Sequence, residues 1–375
     1  MKAIRFCFLI SILTSVVLYS GCKEDEGSEL SVTLPSNLEM VVTVDSVTEG
    51  QVSVSATASN VNFYTITFSE QGGSTSEESN DGKATYRYSE SGTYSINVKA
   101  HATAIDFIEK NESVSVFVGR PTNDGVPSST GYSTPMSYPG YNLVWNDEFS
   151  GNSLSITDWN YEIGTGSGGW GNNELQYYRQ ENTSVNNGML TIQAKKEFFN
   201  GNSYTSSRIT TQNKQSFQYG RIDIRASLPF GQGLWPALWM LGDNISTVGW
   251  PSCGEIDIME LVGGDNTDNE VHGTAHWEFN GARAQSGGSN RLPNGTFAHE
   301  FHVFSIIWDN QKIEWYRDDI KYKTLDTTPA DLSEFQNKFF LIFNVAVGGD
   351  WPGSPNASTQ FPQYMFVDYV RVFQK

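Results

Sequence analysis

Apolar and polar residues alternate with a period of two through much of this chain. Between residues 51 and 58 valine alternates with serine, and residues 63–68 and 92–98 repeat the pattern with aromatic and β-branched side chains. Such alternation marks half-buried strands. Further short strands are predicted at 189–194, 220–226, 302–308, 312–317, 339–347 and 365–373, with turn residues between them. No long stretch carries a helical period. The fold class expected is therefore all-β, with a first β domain over residues 30–118 and one large β-sandwich over residues 141–375. Between them, Pro121, Pro127, Pro135 and Pro139 are interleaved with Gly, Ser and Thr. Residues 119–140 thus read as an extended, poorly packed linker.

One predicted strand breaks the pattern. In Cys253-Gly254-Glu255-Ile256-Asp257-Ile258-Met259-Glu260-Leu261, three acids sit inside an apolar run. Desolvating a charge is costly, so acids are rarely placed there without a use. Period two puts Glu255 and Asp257 on one face and Glu260 on the other. A β-bulge adding one residue near Met259 restores Glu260 to the first face. The outer acids are then four strand steps apart, ~13 Å along the backbone. If the side chains lean together, their carboxyl groups approach ~5–5.5 Å, the spacing of a retaining glycosidase pair. One of the two outer acids then attacks the anomeric carbon and the other protonates the leaving oxygen. Asp257 bonds the nucleophile and helps to raise the pKa of the acid, since like charges resist joint ionisation.

Composition narrows the partners. The chain has 375 residues and a net charge of −18. Nucleic acid is excluded as a partner, because phosphate binding needs a basic face. A soluble secreted protein with a neutral ligand fits; a heavily sulfated polysaccharide fits less well. Aromatic residues make up 13% of the chain, ample for stacking on sugars. Three cysteines, Cys7, Cys22 and Cys253, imply no intramolecular disulfide framework. Cys253 reads as a small buried residue with no activating base nearby.

Residues 1–21 read as a secretory leader, with Lys2 and Arg5 before an apolar stretch that is shorter than the ~20 residues a membrane span needs. Its end, Leu18-Tyr19-Ser20-Gly21-Cys22, resembles a bacterial lipobox, with Tyr19 where leucine is usual. The resemblance implies lipid on Cys22, with residues 22–29 as an acidic tether. It implies a secreted protein anchored at the outer membrane or cell surface. The other reading is an ordinary secreted protein. In the first domain, Ser91-Gly92-Thr93-Tyr94 resembles the turn of a PKD-type immunoglobulin-like domain, although the usual FGDG is here Phe68-Ser69-Glu70-Gln71-Gly72. A passive spacer is the expected role, with sugar binding as the alternative.

The E-x-D-x-x-E motif resembles the catalytic signature of glycoside hydrolase family 16, in the bulged form of its laminarinases and marine-galactan hydrolases. The flanks resemble that family in order and spacing. They are Trp145-Asn146-Asp147-Glu148-Phe149, Gly171-Asn172-Asn173-Glu174-Leu175-Gln176-Tyr177-Tyr178, Gly233-Leu234-Trp235-Pro236-Ala237-Leu238-Trp239, Val271-His272-Gly273-Thr274-Ala275-His276-Trp277 and Gly348-Gly349-Asp350-Trp351-Pro352-Gly353. The resemblance implies a curved β-sandwich (jelly roll, concanavalin A-like) that cleaves a β-1,3-glucan such as laminarin. Trp235 and Trp239 share a strand face and become sugar platforms; their other reading is core. His276 is the site histidine, with a structural hydrogen-bonding role as the alternative. Asn173, Glu174 and Arg208 are candidates to bond sugar hydroxyls. No cofactor is expected for catalysis. The family resemblance implies a structural calcium on Glu148, the Gly188 carbonyl and Asp368, since oxygen ligands suit that ion. His299-Glu300-Phe301-His302 is one residue short of a metalloprotease motif and reads as structural.

The expectation is thus a monomeric, lipid-anchored retaining endo-β-glycanase whose partner is a polysaccharide. Three rivals stay open. One is the same chemistry on agarose, porphyran, carrageenan or mixed-linkage glucan. The second is a non-catalytic glycan-binding surface protein. The third is an adhesin that uses the three acids as calcium ligands. Residues 199–206 and 280–298, rich in Gly, Ser and Asn, are expected to be loops rimming the cleft.

Overall fold

Alternation turns into burial almost residue by residue. In the strand Gln51–Ser59 the side chains of Val52, Val54 and Ala56 are buried and their neighbours face out. A computed structural model describes residues 32–45, 50–70, 72–116, 118, 125, 127–128, 130–264 and 267–375. The leader and Cys22 lie outside these residues.

The first unit is a small sandwich. Ser36–Val44, Gln51–Ser59 and Lys83–Arg87 form one sheet, and Gly73–Ser79, Phe63–Glu70, Gly92–His101 and Phe107–Val116 the other. Ile66, Phe68, Ile96 and Val98 fill the space between them. Tyr94 donates its hydroxyl to the Glu90 carbonyl at 2.8 Å, a corner of the kind found in immunoglobulin-like sandwiches.

The second unit is a larger sandwich of two sheets. The first has the order Ala282–Arg291, Glu270–Phe279, Glu255–Leu261, Leu234–Gly242, Phe339–Val347, Arg208–Thr210, Asn160–Tyr161. The facing sheet has eight strands, with Gln363–Gln374, Gly220–Ser227, His302–Trp308 and Lys312–Arg317 at its centre. One continuous core lies between them, built from Ile222, Ile224, Ile256, Ile258, Phe304, Trp315 and Phe343 among others. Phe339–Val347 is buried along its whole length. Its outward residues Phe340 and Ile342 form a second small cluster with Leu241 and Cys253. This cluster is a hydrophobic floor beside the acids.

Two expectations need correcting. Residues 280–298 are not a loose rim: Ala282–Arg291 is a ten-residue edge strand paired with Glu270–Phe279. Small residues hide it from a propensity reading, but they fit the space, since a Cβ on Gly287 would lie 3.1 Å from Thr274 Oγ1 and one on Gly288 would lie 3.1 Å from Lys323 Cβ. Residues 199–206 likewise include a short strand, Tyr204–Ser206, paired in parallel with Gln176–Tyr178.

The later half of the expected linker is a packed strap. Gly131 pairs with Phe301, and Phe301 donates its amide to the Thr130 carbonyl. Thr134 is buried; it donates its amide to the Tyr369 hydroxyl at 2.8 Å, and its carbonyl accepts from Arg371 Nη1 at 2.8 Å. Tyr138 donates to the fully buried Asp223 at 2.7 Å, beside Arg221 and Ser305. Proline content predicted the extended conformation, while these contacts tie it down. A chain beginning at Tyr141 should therefore melt below one beginning at Gly125. Each buried group left without a partner costs about 1–3 kcal/mol, and each kcal/mol lowers Tm by about 2–4 °C in a domain of this size. Equal melting temperatures in a calorimetric comparison would show the strap to be dispensable.

Candidate active site

The register of the strand Glu255–Leu261 slips where the acids require it. Against Leu234–Gly242, Leu238 pairs with Met259 and Trp239 with Asp257, so Ile258 is passed over. Against Glu270–Phe279, Asp257 pairs with Thr274 and Glu260 with His272, leaving Gly273 opposite the Ile258–Met259 pair. Ile258 and Met259 both enter the core. Two consecutive inward residues are what a bulge permits. Glu255, Asp257 and Glu260 consequently share the open face of the sheet. His276 lies across from Glu255 and His272 across from Glu260.

The acids are deeply placed. Asp257 is 3% exposed and Glu260 8%. Burial, then the charge of Asp257, raises Glu255 to about 8, against the opposing pull of His276, Trp250 and Arg208. Burial raises Asp257 to about 8. Glu260 is pushed well above the usual glutamate value, first by burial and then by the charges of Asp257 and Glu255. A carboxyl pushed up by burial and by neighbouring like charges is one that can serve as a general acid. Each outer acid also accepts an indole donor: Trp250 Nε1 to Glu255 Oε2 at 2.9 Å, and Trp235 Nε1 to Glu260 Oε1 at 3.0 Å. His276 Nε2 stands 3.2 Å from Asp257 Oδ2, an ion-pair distance without hydrogen-bond alignment, and 3.6 Å from Glu255 Oε1. Ligand atoms of Glu255, Asp257 and His276 lie within 4.8 Å of one another, a spacing at which all three could reach one cation.

The other candidates fall around these acids. Trp239 donates Nε1 to Asn344 Oδ1 at 2.8 Å. Asn344 Nδ2 donates to the buried Tyr178 hydroxyl at 3.1 Å, which donates to Glu174 Oε2 at 3.1 Å. Glu174 also accepts from Asn172 and Gln176. The Arg208 guanidinium packs on both Trp170 and Trp239, 4.5 and 4.9 Å from the ring centres, and pairs with Glu162. Asn173 donates to Asp350 at 2.9 Å, tying its loop to the one that follows Phe339–Val347. Glu148 is held bidentately by Arg371, and Asp368 pairs with Arg225 at 2.7 Å. A calcium ion on Glu148, the Gly188 carbonyl and Asp368 would have to share both carboxylates with guanidinium groups. The arrangement therefore gives calcium a poor fit. Burial pushes the Cys253 thiol to about 11, which suits packing and not reaction. His302 is buried and pairs with Asp318 at 2.7 Å, a structural role.

Sequence reading passed over several residues of this face. Trp250 and Trp351 are each 47% exposed. Trp351 meets Trp235 edge-on at 5.6 Å and lies 5.1 Å from His272. Trp170, Tyr178, Glu162 and Asn344 complete the side around Arg208. The signal for Trp351 was its Gly-Gly-Asp-Trp-Pro-Gly setting; Trp250 stands near Glu255 in the chain, whereas the contacts of Glu162 and Trp170 with Arg208, and of Tyr178 with Asn344, are long in sequence.

Similarity to known proteins follows this geometry. The family description "Glycosyl hydrolases family 16" matches residues 171–371, more than half of the chain. A β-glucanase of Rhodothermus marinus is 45% identical over 253 residues, covering 63% of this chain and 86% of that protein. A glucan endo-1,3-β-glucosidase A1 of Niallia circulans is 39% identical over 295 residues, covering 69% of this chain but 42% of that longer protein. Among solved structures, the laminarinase catalytic domain of Thermotoga maritima MSB8 is 47% identical with a TM-score of 0.57, covering 63% of this chain and 98% of that one. The acid-bearing strand and both indoles that bond its glutamates lie inside the matched segment, and the chain belongs to glycosyl hydrolase family 16.

Proposed function

We propose that the protein is a retaining endo-β-1,3-glucanase acting on laminarin-type glucan. The observation that carries this reading is the bulged strand, which sets Glu255 and Glu260 on one face with Asp257 between them. The names of the similar glucanases support the substrate class.

In the first step Glu260 gives its proton to the glycosidic oxygen while the Glu255 carboxylate attacks the anomeric carbon. The C–O bond to the leaving sugar breaks, and a glycosyl ester on Glu255 forms. In the second step the Glu260 carboxylate takes a proton from water, whose oxygen attacks the same carbon and frees Glu255. His276 Nε2 stands beside Asp257 Oδ2 and Glu255 Oε1, at 3.2 and 3.6 Å. Trp235, Trp239, Trp250 and Trp351 offer flat apolar surface to the C–H faces of sugar rings. Arg208 and Asn173 offer donors to hydroxyls, and Glu174 an acceptor. No cofactor enters either step.

Three finer readings belong to the same proposal. The first domain is a PKD-like spacer, which fits its immunoglobulin-like sandwich and the Tyr94 corner. The protein works as a monomer. Cys22 carries a lipid that holds it at the outer membrane or cell surface; Cys22→Ala should move it from the membrane fraction to the soluble one, and unchanged fractionation would remove the anchor.

Glu255→Ser should lose nearly all reducing-end release from laminarin while keeping its fold and oligosaccharide binding. Wild-type activity on agarose, porphyran or carrageenan in place of laminarin would keep the mechanism and overturn the substrate. Turnover retained in the variant would overturn the nucleophile.

Activity needs Glu255 ionised and Glu260 protonated, so the pH–rate profile should be bell-shaped. Because Glu255 is raised, the acid limb should lie above 4.5, the ordinary glutamate value. The same shifts act on stability. A buried acid with a raised pKa binds its proton more tightly in the folded state. Its stabilising effect is complete below the unfolded pKa and is lost as pH rises through the folded one. Asp257→Asn should therefore raise Tm near pH 8 and leave it unchanged near pH 4, while turnover falls. A lower Tm near pH 8, or a flat rate profile, would contradict this electrostatic reading.

A further inference from the structure

Under the bulge lies a polar contact that the mechanism above does not use. Trp315 is fully buried in the facing sheet, and it donates Nε1–H to the backbone carbonyl of Asp257 at 2.8 Å. An indole has one donor, and this one is used across the core, at the residue where the acid-bearing strand slips register. Gly273, opposite the bulge, explains how the ring reaches that far. A Cβ at Gly273 would sit 2.4 Å from Trp315 Cδ1 and 2.6 Å from the Tyr322 hydroxyl. Tyr322 is itself the extra residue of a second bulge: Trp315 pairs with Lys323 and Tyr316 with Lys321. Two bulges, one in each sheet, thus meet at a glycine. Burial, then the charge of Glu260, raises the Tyr322 phenol, so this hydroxyl lies within electrostatic range of the acid.

We propose that Trp315, supported by Tyr322, is a positioning residue that pins the bulge and thereby keeps Glu260 at its working place on the open face. The reason is parity. A bulge that moves by one residue turns a side chain from one face of the strand to the other, and the Trp315 bond holds the carbonyl of Asp257, the residue at which the register slips, from the opposite sheet. Gly273 leaves room for the pin, the indole donor sets its position along the strand, and the Tyr322 bulge sets the depth of the ring. The proposal rests on Glu260 being the acid.

The test compares laminarin with an aryl β-laminaribioside whose leaving group is 2,4-dinitrophenolate. That leaving group needs no proton, so the first turnover on it bypasses Glu260. Trp315→Phe keeps most of the ring volume and removes the donor. On laminarin its kcat should fall roughly tenfold to a hundredfold, as misplacement of a reacting group does. KM should stay near the wild-type value, and the basic limb of the pH profile should shift. First-turnover release of dinitrophenolate should stay near wild type. Trp308→Phe is the control: Trp308 is also a buried core indole, but its Nε1 bonds the Phe335 carbonyl at 3.0 Å, in another part of the core. It should lower stability without separating the two substrates. Tyr322→Phe removes one oxygen and no packing, and it should show the same substrate split to a smaller degree even where Trp315→Phe fails to fold. Equal losses on both substrates, or no loss in folded Trp315→Phe and Tyr322→Phe, would overturn the proposal. Inactive wild-type enzyme on laminarin would instead count against the assigned function.

Discussion

Glu255, Asp257 and Glu260 leave water together, on a strand whose other face is hydrocarbon. Desolvating a carboxylate is costly, and three like charges raise the cost further. The groups that meet them are two neutral indole donors and a histidine. This choice matters chemically. A guanidinium bound tightly to each acid would hold all three ionised. Neutral donors orient the carboxylates and still leave at least one of them protonated, which is the condition for general acid catalysis.

The bulge is the second half of the same constraint. A regular strand places alternate residues on opposite faces, and the interval from Asp257 to Glu260 is odd. Only an inserted residue reconciles that interval with a common face. Ile258 and Met259 take up the insertion because both are apolar and the core accepts both. Around this strand the rest of the seven-stranded sheet is specialised by position. Phe339–Val347 supplies a buried floor. Leu234–Gly242 carries the two indoles spaced four residues apart. Glu270–Phe279 brings a histidine opposite each outer acid.

The facing sheet does more than cover the core. It carries the buried Asp223 network, the strap over residues 130–141, and the Trp315 ring that reaches the acid-bearing strand. The Trp315 ring thus touches the backbone of the acid-bearing strand from the side away from the open face. The strap also moves the edge of the domain: a boundary drawn at residue 140 would leave Thr134 and Tyr138, and their buried partners, on opposite sides of it.

Local pattern alone determined most of the strands, because alternation records which side of a sheet each residue faces, and burial follows it along Gln51–Ser59 and Met189–Ala194. It also determined the bulge, since counting from Asp257 to Glu260 leaves no other way to a shared face. It could not show Ala282–Arg291 as a strand, because Gly, Ser and Ala carry little preference of their own and the pairing with Glu270–Phe279 made the choice. Nor could it place Trp250 on Glu255, Arg208 against Trp170 and Trp239, or Trp315 on the Asp257 carbonyl. The Arg208 and Trp315 contacts join residues far apart in the chain. They depend on the order in which strands are laid side by side and on how the two sheets stack, neither of which is written into any single stretch of sequence.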